Sequence, residues 1–138
     1  MSGVGTGVLA LLEVGRAREK AQTLFYRTLA ARAQAAGDEA VTERLNELHA
    51  DEQHHLSRLT ARVLELGAAP ADLRETATPP SSWPDWEGAV RAREAEEVAW
   101  YQKALSADLD EETRAVVEEI LESELQHRSR LGGKWMSA

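Results

Sequence analysis

The sequence repeats itself once, and this duplication restricts the available folds more than any other feature. Residues 16 to 26, RAREKAQTLFY, align with residues 91 to 101, RAREAEEVAWY, and five positions match: arginine, alanine, arginine, glutamate and tyrosine. Further along each half, EQHHLSRL at 52 to 59 aligns with ELQHRSRL at 124 to 131. Each half is therefore expected to form the same unit, so that the chain contains this unit twice.

Residue patterns predict that each half is a pair of helices. Strong helix formers without an internal proline fill the first segment, and Gly37 followed by Asp38 supplies a stop and an N-cap. Apolar residues then recur at three- and four-residue steps, as on one face of a helix. Asp108 or Asp110 is expected to cap the last helix. The predicted helices span about 8–36, 38–66, 86–107 and 110–133.

The segment at about 67–85, GAAPADLRETATPPSSWPD, contains all four prolines of the chain and is expected to be irregular. About 18 residues extend to roughly 59 Å at most, enough to cross a bundle about 35 Å long from end to end. The sequence thus predicts an all-α fold in a single domain, 1–138. This fold is a four-helix bundle made of two duplicated hairpins joined by a long crossover loop.

Composition agrees with a helical protein and excludes several functions. The chain has 138 residues, of which 43% are hydrophobic and only 5% aromatic. Its net charge of -8 disfavours nucleic acid and anionic membrane surfaces as partners. The absence of cysteine excludes disulfides, iron–sulfur clusters and thiol catalysis by this chain. The short apolar stretch GVLALLEVG lacks a basic region before it, so we expect neither a signal peptide nor a membrane span. We therefore expect a cytoplasmic location.

The second helix of each half has a gap in its apolar stripe, and polar residues fill it. Glu52 and His55 occupy the gap in the first half, and Glu124 and His127 occupy it in the second. Residues three apart on a helix lie on nearly the same face, so both members of each pair are expected to point inward.

The first helix of each half contributes one more aligned carboxylate, Glu19 or Glu94. Counting residues to the intervening turn places Glu19 within about one helical turn of the height of Glu52. The same count holds in the second half, so all four carboxylates are expected to share one layer. Asp51 and His54 have the same spacing as a ligand pair but no counterpart in the other half, and we expect them at the surface.

Several carboxylates inside a dry bundle require compensation, because desolvation and mutual repulsion both oppose their charge. A divalent metal provides it, and a mixture of carboxylate oxygen and imidazole nitrogen without sulfur suits iron or manganese. The alternative is that these residues are surface groups on a metal-free bundle. The predicted ligands are Glu19, Glu52, His55, Glu94, Glu124 and His127.

This pattern resembles the ferritin-like superfamily over nearly the whole chain, and within it the rubrerythrin group. The finer resemblance depends on Glu97, one turn beyond Glu94, where rubrerythrins have an additional iron ligand that exchanges with a histidine as the iron changes oxidation state. Gln22 holds the equivalent place in the first half. Rubrerythrins typically add a cysteine-ligated rubredoxin domain, which this cysteine-free chain lacks, so electrons are expected from a separate donor.

The resemblance implies a di-iron oxidoreductase that reduces hydrogen peroxide or dioxygen, with manganese or a mixed pair of metals as variants. Two alternatives stay open: a ferroxidase that handles Fe(II) as substrate, and a metal-stabilised structural bundle without turnover. Exposed tryptophans, and the dimers that are common in the family, suggest a homodimer.

Several further residues recur in both halves. Tyr26 and Tyr101 each follow a ligand glutamate by seven residues, and we expect their hydroxyls to hydrogen-bond carboxylates of the centre, with core packing as the alternative. The arginines of the repeat are expected to form ion pairs at the surface. They are Arg16, Arg18, Arg91 and Arg93.

Overall fold

All regular structure in the computed structural model is helical over the described residues, 5–131, with side chains described for 7–129. The predicted all-α class is confirmed. The four helices are α1 (Gly5–Ala35), α2 (Glu39–Glu65), α3 (Trp86–Ala104) and α4 (Glu111–Leu131). They form two compact units, Met1–Pro84 and Asp85–Ala138, each built on one helical hairpin. No helix of the described part is long and apolar enough to cross a membrane.

The turn of the first hairpin follows the predicted stop and cap. Gly37 adopts a φ of 76°, which favours glycine, and its N–H donates to the carbonyl of Gln34. The N–H of Asp38 donates to the carbonyl of Ala33, completing the pair of hydrogen bonds that closes a helix with a left-handed residue. The Asp38 carboxylate then accepts from the Val41 N–H at 3.2 Å. Both predictions for this turn are confirmed.

The core of the first unit is apolar at both ends and polar in the middle. Leu12 of α1 and Leu59 of α2 are buried toward one end, and Leu29 and Leu45 are buried toward the other. Between them the buried stripe of α2 continues through polar side chains, as the gap in the sequence pattern predicted.

The linker after α2 runs back along α1. The backbone N–H of Ala71 donates to Glu13, and the Ala71 carbonyl accepts from Arg16, near the start of α1. Ten residues later the carbonyl of Ser81 accepts from Arg32, near the end of α1. The sixteen-residue step from Arg16 to Arg32 covers about 24 Å of helix. The linker thus runs alongside about half of the 31 residues of α1.

Arg16 is not at the surface as the sequence suggested, although it does form an ion pair, with Glu13. Its side chain is 6% exposed, and its Nε donates to the hydroxyl of Thr60 on α2 at 2.8 Å. With its bond to Ala71, it fastens α1, α2 and the linker together. The contact with Glu13 completes its set of partners.

The second hairpin differs from the prediction mainly where α3 ends. The helix stops at Ala104, three residues before the predicted end, because Arg114 of α4 donates to the carbonyls of Leu105 and Ala107 and holds them in a turn. Asp110 caps α4 by accepting from the Thr113 N–H at 3.2 Å. In the first unit α1 begins at Gly5, three residues earlier than predicted. The predicted end of α4 at 133 lies outside the described residues.

Candidate metal centre

Three side chains meet inside the first hairpin: Glu19 from α1, with Glu52 and His55 from α2. Both carboxylates are fully buried, and His55 is 3% exposed. The Nδ1 atom of His55 lies 2.8 Å from Oε1 of Glu52 and 3.6 Å from Oε1 of Glu19. One ligand atom from each residue lies within 4.8 Å of the other two. We refer to this group as the first triad.

The second hairpin contains the equivalent group, Glu94 from α3 with Glu124 and His127 from α4. Both of its carboxylates are also fully buried. The Nδ1 atom of His127 lies 2.9 Å from Oε1 of Glu124 and 3.3 Å from Oε1 of Glu94. We refer to this group as the second triad. The six residues predicted from the repeat thus fall into two matching groups of three, one in each hairpin.

Helical spacing explains why these side chains point inward. On α2 the buried residues Leu48, Glu52, His55 and Leu59 follow one another at steps of four, three and four, which is one face of a helix. His54, one position away from this face, is exposed. The register drawn from the repeat, which selected His55 over His54, is confirmed.

The donor atoms of each triad are spaced as the ligands of one metal ion require. Two ligand atoms at right angles to each other, each about 2.1 Å from an ion, lie about 3 Å apart. The nitrogen-to-oxygen distances are 2.8 and 3.6 Å in the first triad and 2.9 and 3.3 Å in the second. The same histidine nitrogen, Nδ1, faces both carboxylates in each triad. The residues therefore fit a divalent metal.

The negative charge of each triad also favours binding of a cation. Two carboxylates and one imidazole carry a net negative charge even when the histidine is protonated. Placing such a charge in the interior is unfavourable unless it is compensated. A divalent ion supplies that compensation and satisfies several carboxylate oxygens at once.

The buried position one turn beyond the first glutamate of each triad differs between the halves. In the first hairpin Gln22 is fully buried, and its amide donates to Oε2 of Glu52 with 3.4 Å between the atoms. In the second hairpin the matching residue is Glu97, which is 3% exposed, whereas its neighbour Glu96 is exposed. Charged runs such as this one are usually solvated, but Glu97 is buried. Its role as a ligand remains a prediction.

Tyr26 and Tyr101 are both fully buried. Each touches the aromatic ring that precedes it in sequence, Phe25 or Trp100, in an edge-to-face contact. Sequence reasoning identified the two tyrosines but not their aromatic neighbours, although the alignment of the halves contains both pairs. That their hydroxyls bind carboxylates of the centre remains a prediction.

No protein-family model matches the chain, and no curated protein sequence does. Among solved structures, the chain is similar to a dodecameric thioferritin, the bacterioferritin-related protein from Bacteroides fragilis, with a TM-score of 0.80 and 18% sequence identity. The similarity covers 95% of this chain and 84% of the other. The fold is that of a ferritin-like bundle. The predicted fold class is confirmed, and the ferritin-like fold includes both hairpins and hence both triads.

The ferritin-like fold and the two carboxylate–histidine triads are together compatible with iron binding. The narrower resemblance to the rubrerythrin group rests on residues rather than on fold, because ferritin-like proteins share this bundle across different reactions.

Proposed function

We propose that each of the two triads binds one metal ion, so that the chain holds two. The observation that carries this proposal is the pair of buried triads, each with donor atoms within 4.8 Å of one another. The ferritin-like fold supports it, because di-iron and di-manganese bundles draw one glutamate from each of two helices and a Glu-x-x-His motif from each of the other two. Each hairpin of this chain supplies one such half set.

We further propose that the metal is iron, with manganese as the nearest substitute. Oxygen and nitrogen donors without sulfur suit both metals and disfavour a structural zinc site. The triads provide four carboxylates, whose combined negative charge equals the positive charge of two divalent ions, and two imidazoles, which bind as neutral ligands.

The reaction that we propose is the reduction of hydrogen peroxide or dioxygen, as in a rubrerythrin-like oxidoreductase. Iron, when bound, supplies the electrons by passing between Fe(II) and Fe(III). Glu19, Glu52, Glu94 and Glu124 would hold the ions together with His55 and His127. Glu97 adds a buried carboxylate that accommodates the higher charge of the oxidised state. Burial of all these side chains keeps water away from the centre.

The electrons are restored by a separate donor, because the chain has no cysteine with which to hold a rubredoxin-type iron. We also propose that the protein forms a homodimer, which sedimentation of the purified protein tests directly.

A ferroxidase is the second candidate, favoured by the similarity to a protein described as a thioferritin. In this case Fe(II) is the substrate and leaves as Fe(III). The same triads serve both reactions, since each needs a site that holds iron in two oxidation states. The distinction lies in the fate of the iron, which stays bound in the first reaction and is replaced in the second.

Metal analysis of protein purified without oxygen, followed by stopped-flow mixing with peroxide and with dioxygen, tests these proposals. An oxidoreductase binds about two iron ions per chain and cycles them when a reductant is supplied. A ferroxidase accumulates iron well beyond this number. A folded protein that takes up no metal after anaerobic loading would instead be a metal-free structural bundle, and both proposals would fail.

A further inference from the structure

One buried position distinguishes the two halves by charge and not by shape. Gln22 follows Glu19 by three residues, so it lies about one turn beyond a glutamate of the first triad. Glu97 stands at the same spacing from Glu94 in the second half. Gln22 is fully buried, and Glu97 is 3% exposed. Because glutamine and glutamate fill nearly the same volume, packing alone does not account for this difference.

Gln22 contacts the first triad directly. Its side-chain nitrogen donates to Oε2 of Glu52, with 3.4 Å between the atoms, across the hairpin from α1 to α2. The amide orients this carboxylate but carries no charge. A carboxylate in its place would bring a further negative charge close to the ligand atoms, and would attract a divalent ion more strongly. Gln22 thus limits the negative charge of the first triad to that of its own two carboxylates.

The other buried charges of the first hairpin do not remove this difference. Arg16 forms an ion pair with Glu13 one turn away, so this pair is neutral overall. Arg62 forms a neutral pair with Glu65 in the same way. Over the side chains described, 7–129, Glu97 is the one buried carboxylate outside the two triads. The second hairpin therefore contains one more buried carboxylate than the first.

We propose that Gln22 makes the first triad the weaker of the two metal sites, so that the second triad fills first. The proposal rests on the metal binding proposed above and on no particular reaction. A chain that meets a limiting amount of metal then holds it in the second triad. Two sites of unequal affinity also allow the chain to hold two different divalent ions, one in each triad.

Binding of Mn(II) to the metal-free full-length protein tests the order of filling. In an anaerobic titration, the EPR signal of free Mn(II) measures how much of the ion stays unbound. The parent should bind two ions in two steps whose dissociation constants differ by at least about tenfold, the effect typical of a group beside a metal ligand. His55→Ala, which disables the first triad, should keep the tighter step. His127→Ala should keep the weaker one.

Exchanging the two side chains tests whether their charge is the cause. Gln22→Glu should tighten the weaker step by at least about tenfold, and Glu97→Gln should weaken the tighter step by a similar factor. Either variant should then bind two ions with similar affinities. The double variant should again show two unequal steps, with the order of the triads reversed. Gln53→Glu and Glu96→Gln make the same changes at exposed positions and should match the parent.

The outcomes separate this proposal from the one on which it rests. Two ions bound with equal affinities by the parent would overturn the order of filling but leave metal binding by the triads in place. A parent that binds no Mn(II) would end both proposals. If circular dichroism shows that Gln22→Glu does not fold, Glu97→Gln decides the question, because it removes a buried charge instead of adding one. An unchanged tighter step in Glu97→Gln would overturn the proposal.

Discussion

Oε2 of Glu52 accepts a hydrogen bond from the side-chain amide of Gln22, with 3.4 Å between the two atoms. The bond orients a carboxylate of the first triad from α1, thirty residues away in sequence. Because groups that orient a metal ligand typically alter affinity by about 10- to 100-fold, Gln22→Met should weaken metal binding by at least about tenfold. Anaerobic titration with Fe(II) or Mn(II) measures this. Gln53→Met, at an exposed position beside Glu52, is the control and should bind as the parent does.

The triads predict which carboxylates hold metal. The parent should bind close to two ions per chain, and Glu52→Ala or Glu124→Ala should lower the stoichiometry, because each removes a buried ligand from one triad. Elemental analysis after anaerobic loading measures the effect. Asp51→Ala and His54→Ala are the matched controls, since both residues flank the ligands on α2 without belonging to the triad. An equal loss of metal from His54→Ala and His55→Ala would contradict the assignment of the inner face.

Metal should also stabilise the folded chain. Binding to the folded state alone raises the free energy of unfolding by about 2.7 kcal/mol when the free metal exceeds its dissociation constant about 100-fold. Thermal unfolding with and without Mn(II) measures this as an increase in Tm. The increase should be smaller in Glu124→Ala, which removes one ligand of the second triad. An identical increase in both proteins would mean that the stabilising ions bind elsewhere.

Replacing Glu97 should slow turnover by peroxide without reducing the number of metal ions bound. Glu97→Ala keeps both triads and should still bind two Fe(II). Without its carboxylate, oxidation by peroxide or return to the reduced state should be slowed. Stopped-flow single-turnover measurements compare the parent with Glu97→Ala and with Glu96→Ala, whose exposed side chain should make little difference. Identical rates in all three proteins would remove the basis of the rubrerythrin-like proposal and leave a ferritin-like metal site with a different reaction.

His49 should titrate below its usual range. Its partial burial, and then the positive charge of Arg27, lower the pKa of His49 from 6.5. The folded chain thus binds this proton less readily than the unfolded chain. Above pH 6.5 His49 is largely neutral in both the folded and the unfolded chain and has little effect on the free energy of unfolding. As the pH falls below 6.5 the unfolded chain binds the proton first, so the free energy of unfolding decreases. NMR titration of the imidazole measures the pKa. Arg27→Gln should raise it part of the way, because burial remains, and a parent value of 6.5 or higher would contradict the prediction.

Local features were readable from the sequence because helices impose a fixed period. A face repeats every 3.6 residues, so a gap in the apolar stripe of α2 identified Glu52 and His55 as inward-facing. The duplication removed the ambiguity between His54 and His55, which spacing alone does not resolve. Gly37 and Asp38 likewise marked a turn by local backbone chemistry. For the same reason the six residues of the two triads could be named before any contact between helices was known.

Contacts between distant residues were decided only by the tertiary structure. The charged run in REAEEVAW is typical of a solvated face, yet packing buries Glu97 and leaves Glu96 exposed. Arg16 looked like a surface residue, yet it binds Thr60 and Ala71, which lie 44 and 55 residues away. The physical reason is the range of the interactions: helical period and caps depend on neighbours within a few residues. The burial of a charge, or the partner of a long side chain, depends on which segments the folded chain brings together.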